Sequence, residues 1–226
     1  MDTLAVALST VAGLLVGWFV LVRIVERIPE PNPLDRRAQI AVAVVNGALW
    51  MAVANNREFH RWWVAIVYFV VFSAFLAVSV VDLRVYRIPD RIVFPALGLT
   101  AVLMVAATFA IVRPYGDVVE PLKYAAIGMI TYFAILFVFH VVYPQGMGFG
   151  DVKLALLMGL AMGWVAATGT GAAYMVMVAL FVGCVLGIVF GLIVRLVRGR
   201  GGAFPFGPAL ALGTIYVLLN LQRYQV

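Results

Sequence analysis

Apolar runs long enough to cross a membrane recur along the whole chain, and few folds can accommodate them. The hydrocarbon core of a bilayer is about 30 Å thick, and a helix of about 20 apolar residues crosses it. Hydrophobic residues make up 65% of the 226 residues and charged residues only 12%, whereas soluble domains average about 45–50% and about 25%. A water-soluble fold cannot bury this much apolar surface. The sequence therefore predicts an all-α fold, a polytopic membrane bundle of about eight transmembrane helices.

Short polar segments separate eight apolar runs. The first run follows an acidic Asp2 and has neither a basic leader nor a small-residue cleavage pattern, so we expect a span rather than a secretory signal. The last run is short and is expected to tilt little or to lie partly at the interface. The predicted spans are Leu4–Leu21, Ala38–Ala54, Val64–Val81, Ile92–Val112, Leu122–Val142, Val152–Ala167, Tyr174–Val194 and Ala209–Leu221.

The basic residues indicate topology rather than a nucleic-acid partner. The net charge is +6, but the Lys and Arg residues are scattered between the spans and form no continuous stripe. If both chain ends lie outside, eleven of the 16 basic residues fall in inside loops, which agrees with the positive-inside rule. We therefore expect a multi-pass protein of the plasma (inner) membrane, with the loops 82–91, 143–152 and 195–208 facing the cytoplasm.

Asp82 and Asp151 stand out among the ten acidic residues because each lies where an apolar run meets a cytoplasmic loop. Ionisable groups at such a depth are costly and are candidates for function. Asp82 ends the third predicted span, where its charge meets the partly negative end of a helix. Alternatively, it is a surface carboxylate neutralised by Arg84 or Arg87. Asp90 precedes the fourth span, and a helix cap is its predicted role.

Two loops rich in glycine and proline lie on the same predicted side. Gly148 and Gly150 precede Asp151 and allow a close approach of the backbone or a positive φ, which would place this carboxylate against a peptide. The same pattern also describes an ordinary N-cap of the sixth helix. The loop 201–208 is irregular backbone near membrane depth, which is tolerated only where protein or water surrounds it. It is equally consistent with a plain turn between helices.

The three loops fall on one side by a count of basic residues that did not use their aspartates, glycines or prolines, which favours an aspartyl dyad. Repulsion between two neighbouring carboxylates raises the pKa of one of them, so that one is ionised and the other protonated near neutral pH. The ionised member would activate a water, and the protonated member would polarise a scissile carbonyl.

Other catalytic or metal-binding patterns are missing from the sequence. There is no His-Glu-x-x-His, no Gly-x-Ser-x-Gly and no phosphate-binding loop. Of the two histidines, His60 lies in an outside loop and His140 is interpreted as a helix-packing residue. Cys184, the single cysteine, excludes a disulfide within the chain and is interpreted as a small buried residue. No metal site is predicted.

Three segments resemble the type IV prepilin peptidases. Residues 82–90, Asp-Leu-Arg-Val-Tyr-Arg-Ile-Pro-Asp, resemble the first catalytic-aspartate motif of that family. Residues 148–153, Gly-Phe-Gly-Asp-Val-Lys, resemble its Gly-x-Gly-Asp signature, which preflagellin peptidases and presenilin-type proteases share more loosely. Residues 204–209 resemble the loop before its final helix. The resemblance divides the chain into an N-terminal two-helix segment, 1–63, and a peptidase-like domain, 64–226.

The resemblance implies a membrane-embedded aspartic endopeptidase that removes a short basic leader from prepilin-like or pseudopilin proteins at the cytoplasmic membrane face. Its partners would be the substrate helix and the lipid bilayer; a related enzyme that processes another surface filament is not distinguished. The implied catalytic pair is Asp82 and Asp151. The residues implied to support them in the adjoining loops are Gly148, Gly150, Lys153, Pro205 and Gly207.

Two further points concern cofactors and an alternative function. Many members of that family also methylate the new amino terminus with S-adenosylmethionine and carry a cytoplasmic insert with two Cys-x-x-Cys pairs. Here the segment between Arg27 and the second predicted span is short and lacks cysteine, which puts methylation in doubt, while peptide hydrolysis needs no cofactor.

The alternative function is a small proton- or cation-coupled transporter using Asp82 and Asp151, although no internal repeat of the kind common in transporters is found.

Overall fold

The computed structural model describes residues 2–28, 33–59, 61–112, 118–198 and 205–221. Every regular element in these ranges is helical, which confirms the predicted all-α fold. Eight helices form the bundle, and the first contains a π-helical stretch, Gly17–Leu21. They are α1 (Thr3–Glu26), α2 (Arg36–Asn55), α3 (Trp62–Val85), α4 (Asp90–Val112), α5 (Val119–Val142), α6 (Phe149–Gly163), α7 (Gly169–Arg198) and α8 (Gly207–Leu219).

All of the about eight predicted transmembrane helices are present as helices, and six of the eight are long and apolar enough to cross a membrane. The exceptions are α6 with 15 residues and α8 with 13. At 1.5 Å per residue they are about 22 and about 20 Å long, less than the hydrocarbon core of about 30 Å. Both are largely buried among the other helices. Neighbouring helices rather than lipid therefore surround most of their length.

Glycines let α5 and α6 approach until their backbones touch. A Cβ atom on Gly159 would collide with the carbonyl oxygen of Gly128, and one on Gly163 would collide with that of Tyr124. Small residues four apart are the usual means of close helix packing in membranes. Since Gly163 near the end of α6 meets Tyr124 near the start of α5, the two helices run antiparallel. The start of α6, with Asp151, therefore lies at the far end of α5.

The last two helices, α7 and α8, form a similar antiparallel pair. A Cβ atom on Gly213 of α8 would lie 2.7 Å from the nitrogen of Gly183 on α7. At the other end of α8, the side chain of Asn56 donates a hydrogen bond of 2.9 Å to the carbonyl of Leu219. This bond ties the end of α8 to the chain just after α2. The start of α8 consequently lies on the side of the bundle where α3 ends.

A buried polar chain connects the first two helices to α3. The Asn46 amide donates to the carbonyl of Gly13 at 2.7 Å, and the Ser73 hydroxyl donates to the Asn46 carbonyl oxygen at 2.8 Å. The Trp50 indole N–H in turn donates to Ser73 at 2.9 Å. Polar groups among membrane helices are costly unless they are paired, and these satisfy one another. The division of the chain at residue 63 remains a prediction.

Candidate active site

Asp82 lies in the last turn of α3 and is 4% exposed. Its Oδ2 atom accepts a hydrogen bond of 3.0 Å from the backbone N–H of Gly207, the first residue of α8. The burial argues against the alternative of a surface carboxylate. The amino end of a helix carries a partial positive charge, so this contact offsets part of the cost of burying an ionised carboxylate at Asp82.

Asp151 is the third residue of α6, and Gly148 rather than Asp151 occupies the N-cap position. The side chain is 7% exposed, and its Oδ1 atom is buried without a hydrogen-bond partner among the described residues. Burial and, next, the charge of Asp82 raise the pKa of Asp151 to about 7, against opposing contributions from the backbone N–H groups of Gly148 and of Asp151 itself. Asp151 is thus suited to keep a proton near neutral pH.

Both carboxylates line one cavity of about 420 Å³. Because a water in the liquid occupies about 30 Å³, this space is larger than a single water site requires. The structure therefore brings together the ends of α3 and α6, which are far apart in sequence. The other lining residues are the loop residues 86–88 and 144–150 together with Phe206.

The loop after α3 begins with an unusual backbone conformation at Tyr86. This residue has φ 55° and ψ 32° and follows directly on α3, and its N–H bonds to the carbonyl of Asp82 at 2.9 Å. Left-handed backbone at a helix end normally takes Gly or Asn, and a bulky residue there is uncommon. Such conformations concentrate at functional sites. The residue type at position 86 gives no hint of this conformation, so no role for Tyr86 was predicted.

Gly150 brings the start of α6 into contact with the loop that follows α3. A Cβ atom on Gly150 would lie 2.8 Å from the Cβ of Ile88, and its φ is not in the left-handed region. Of the two predicted reasons for glycine, close approach therefore applies and positive φ does not. A Cβ on Gly148 would lie 3.4 Å from Oδ2 of Asp151. Both glycines line the cavity.

The model of the type IV leader peptidase family matches residues 69–192. This range is more than half of the chain and includes Asp82 and Asp151. The chain belongs to the type IV leader peptidase family. Pro205, which is buried, and Gly207 lie beyond the matched range. The residues 201–204 of the third loop lie outside the described part of the chain.

Curated relatives agree with the family. The chain is 33% identical over 153 residues to a prepilin leader peptidase/N-methyltransferase of Pseudomonas putida, covering 66% of this chain and 48% of the relative. A protein of the same name from Stutzerimonas stutzeri is 30% identical over 146 residues, covering 64% and 46%. The chain thus spans about half the length of these relatives. No solved structure matches it.

Asp90 and Lys153 of this family member form an ion pair beside the cavity. The Lys153 ammonium donates to both carboxylate oxygens of Asp90, at 2.7 and 2.8 Å, and lies 5.2 Å from the centre of the Phe149 ring. The cap prediction for Asp90 is corrected accordingly: α4 begins at Asp90 itself, and both oxygens are directed to Lys153. Lys153 is not among the residues lining the cavity. It connects α6 to α4 two residues after Asp151.

Replacing Asp90 by Asn and Lys153 by Met should reveal a modest coupling between them. The two side chains are 54% and 22% exposed, and ion pairs in such positions contribute about 0.2–1 kcal/mol. We expect each variant to lower the unfolding free energy of the detergent-solubilised protein slightly, and the double variant to be less destabilised than the sum. A double-mutant cycle by thermal or denaturant unfolding measures this. Strict additivity would show that the pair contributes no stability.

His140 anchors the glycine-rich loop, a role that sequence analysis missed. Its Nδ1 atom lies 2.9 Å from the carbonyl oxygen of Met147, and since a carbonyl only accepts, this nitrogen carries the proton. The ring also contacts Phe149 at a centroid distance of 5.3 Å. The only available signal was its position near the end of an apolar run just before the loop. Across the described ranges, no group of three or more His, Cys, Asp or Glu residues is arranged to hold a metal ion.

Proposed function

We propose that this chain is a membrane-embedded aspartic endopeptidase that removes the short leader of type IV prepilin-like or pseudopilin proteins. The observation that carries this proposal is the pair of buried carboxylates, Asp82 and Asp151, lining one cavity at the ends of two different helices. Membership of the leader peptidase family and the printed names of the relatives support the choice of substrate.

The surroundings of the two carboxylates suggest different roles for them. Asp82, which accepts from the N–H of Gly207, is the ionised base that takes a proton from the attacking water. Asp151, with its raised pKa, is the acid that donates a proton to the scissile carbonyl oxygen. The tetrahedral intermediate collapses as the proton held by Asp82 passes to the leaving amine and Asp151 regains its proton from the intermediate. Peptide and water are thereby converted to an acid and an amine.

The location of the site restricts which peptide bond is cleaved. Asp82 ends a membrane-spanning helix, so a substrate anchored by its own apolar helix would present to the cavity the residues at the end of that helix. The partners proposed are therefore the prepilin or pseudopilin helix and the surrounding bilayer; no oligomeric state is assigned.

A liposome experiment tests this function against the transporter alternative. Purified protein is reconstituted with a prepilin-like substrate, cleavage is followed by mobility shift and amino-terminal sequencing of the product, and proton flux is followed with an entrapped pH-sensitive dye. We expect cleavage at the junction of leader and apolar helix, and no flux above empty liposomes. Flux that depends on Asp82, without cleavage, would support a transporter instead.

The site is proposed to face the cytoplasm, because the side that carries Asp82 and Asp151 is also rich in basic residues. Reporter fusions after Arg198 should report a cytoplasmic location, and fusions after Trp63 an exterior one. Trp63 lies near the start of α3 and Arg198 at the end of α7. These two helix ends are expected on opposite sides of the membrane, so each fusion is the control for the other. The reverse pattern would place the dyad outside and contradict a cytoplasmic site.

Cleavage should proceed without added metal or S-adenosylmethionine, because the two carboxyl groups supply both base and acid. We expect the same cleavage rate with and without a chelator. Loss of cleavage on chelation with recovery on adding zinc would contradict the dyad mechanism.

The relatives are named as N-methyltransferases too, but we do not extend that activity to this chain, since the segment between α1 and α2 is short and without cysteine.

A further inference from the structure

A second cavity, of about 620 Å³, shares no lining residue with the cavity that contains the two carboxylates. It is bounded by α1 and α4 and backed by α2 and α3, and its lining is almost wholly apolar. Lining residues extend from Arg27 to Val16 along α1 and from Arg91 to Leu99 along α4. At 1.5 Å per residue, the groove is about 16 Å long on the first helix and about 12 Å on the second.

The few polar atoms deep in the groove are already paired. The Trp50 indole bonds to the hydroxyl of Ser73, and Ser73 bonds to Asn46. An occupant at this depth therefore has no polar group to satisfy and meets only hydrocarbon. An acyl chain fits this requirement.

Two arginines mark one end of the groove, on the side where Asp82 lies. Arg27 follows the end of α1 and Arg91 stands in the first turn of α4, and both are exposed. Within the described ranges neither forms an ion pair or a side-chain hydrogen bond. Of the acidic residues next to them in the sequence, Asp90 is paired with Lys153, and Glu26 accepts at 3.0 Å from the neutral amide of Gln39. Two arginines without an ion-pair partner among the described residues thus adjoin an apolar groove.

We propose that this groove binds an anionic phospholipid, with one acyl chain between α1 and α4 and the phosphate at Arg27 and Arg91. Guanidinium groups suit phosphate because they donate parallel hydrogen bonds to its oxygens. A zwitterionic lipid adds a cation near the arginines and binds less well. A basic peptide segment is repelled at the same place. The site does not depend on the peptidase activity.

Native mass spectrometry of the full chain in detergent tests the proposal, with phosphatidylglycerol and phosphatidylcholine of identical acyl chains as probes. We expect one tightly bound lipid and a clear preference for phosphatidylglycerol. An arginine near the membrane surface attracts anionic lipid by about fivefold in affinity. The double variant Arg27→Gln/Arg91→Gln should therefore lose roughly 25-fold in preference. The matched variant Arg37→Gln/Arg195→Gln removes two exposed arginines that do not line the groove, and it should retain the preference.

A third variant separates the acyl chain from the headgroup. Ala96 lines the groove on α4, and Ala96→Trp should fill it and abolish tight binding of both lipids. Equal binding of the two lipids by the unmodified protein would overturn the proposal. So would an unchanged preference in Arg27→Gln/Arg91→Gln, an equal loss in the control, or retained binding in Ala96→Trp. Competitive displacement of phosphatidylglycerol by a basic leader peptide would instead identify the groove as a peptide site.

Discussion

Asp82→Asn and Asp151→Asn should each reduce leader cleavage by about a hundredfold to ten-thousandfold, the usual contribution of a positioned acid or base. Asn at position 82 still offers a carbonyl oxygen to the N–H of Gly207, so the contact between α3 and α8 survives while the base is lost. Asn at position 151 occupies nearly the same volume but provides no carboxyl proton. Cleavage rates of purified variants in detergent or liposomes measure the effect.

The matched control is Asp90→Asn, which removes a third carboxylate near the same cavity. Its partner is Lys153 rather than the cavity, so the cleavage rate should fall by less than about tenfold, as the modest energy of such a pair implies. Membrane insertion and thermal unfolding are compared across all three variants. Full activity in either Asp82→Asn or Asp151→Asn would end the dyad hypothesis.

Gly207→Ala should lower cleavage by about a hundredfold with little loss of stability. Its Cβ atom would lie 2.9 Å from Oδ2 of Asp82 and 3.0 Å from Cδ1 of Ile88. Both neighbours are side-chain ends, so they move at small cost to folding. The displaced atom, however, belongs to the proposed base, and misplacement of a reacting group by about 1 Å can cost a hundredfold in rate. Cleavage kinetics and thermal unfolding of the same preparation separate the two effects.

Two other glycines provide the controls for Gly207→Ala. A Cβ atom on Gly191 of α7 meets nothing within 4 Å, so Gly191→Ala should leave cleavage unchanged and, by helix propensity, stability unchanged or slightly higher. A Cβ atom on Gly213 would collide with backbone on α7, so Gly213→Ala should mainly destabilise the protein. If Gly207→Ala cleaves like the parent protein, the contact with Asp82 does not position the base.

Much of the candidate site could be anticipated from individual residues. Asp82 and Asp151 are conspicuous because carboxylates are rare beside long apolar runs, and both line the cavity. Gly150 was expected to permit either positive φ or close approach, and the distance to Ile88 decides for the second. The ion pair of Asp90 with Lys153 was not anticipated, because nothing in a local pattern indicates which distant residue a surface carboxylate meets.

Hydropathy is a property of about 20 consecutive residues, and for this reason the sequence by itself determined the helical membrane bundle and the approximate position of each helix. It also determined that two carboxylates end apolar segments. Only the tertiary structure decided that α6 ends after 15 residues and that α6 and α8 are largely buried among the other helices, because burial by neighbouring helices leaves no trace in composition. It also decided the bond from Gly207 to Asp82 and the left-handed backbone at Tyr86. These features depend on how closely helices distant in sequence pack, which is set by the shapes of side chains on both helices at once.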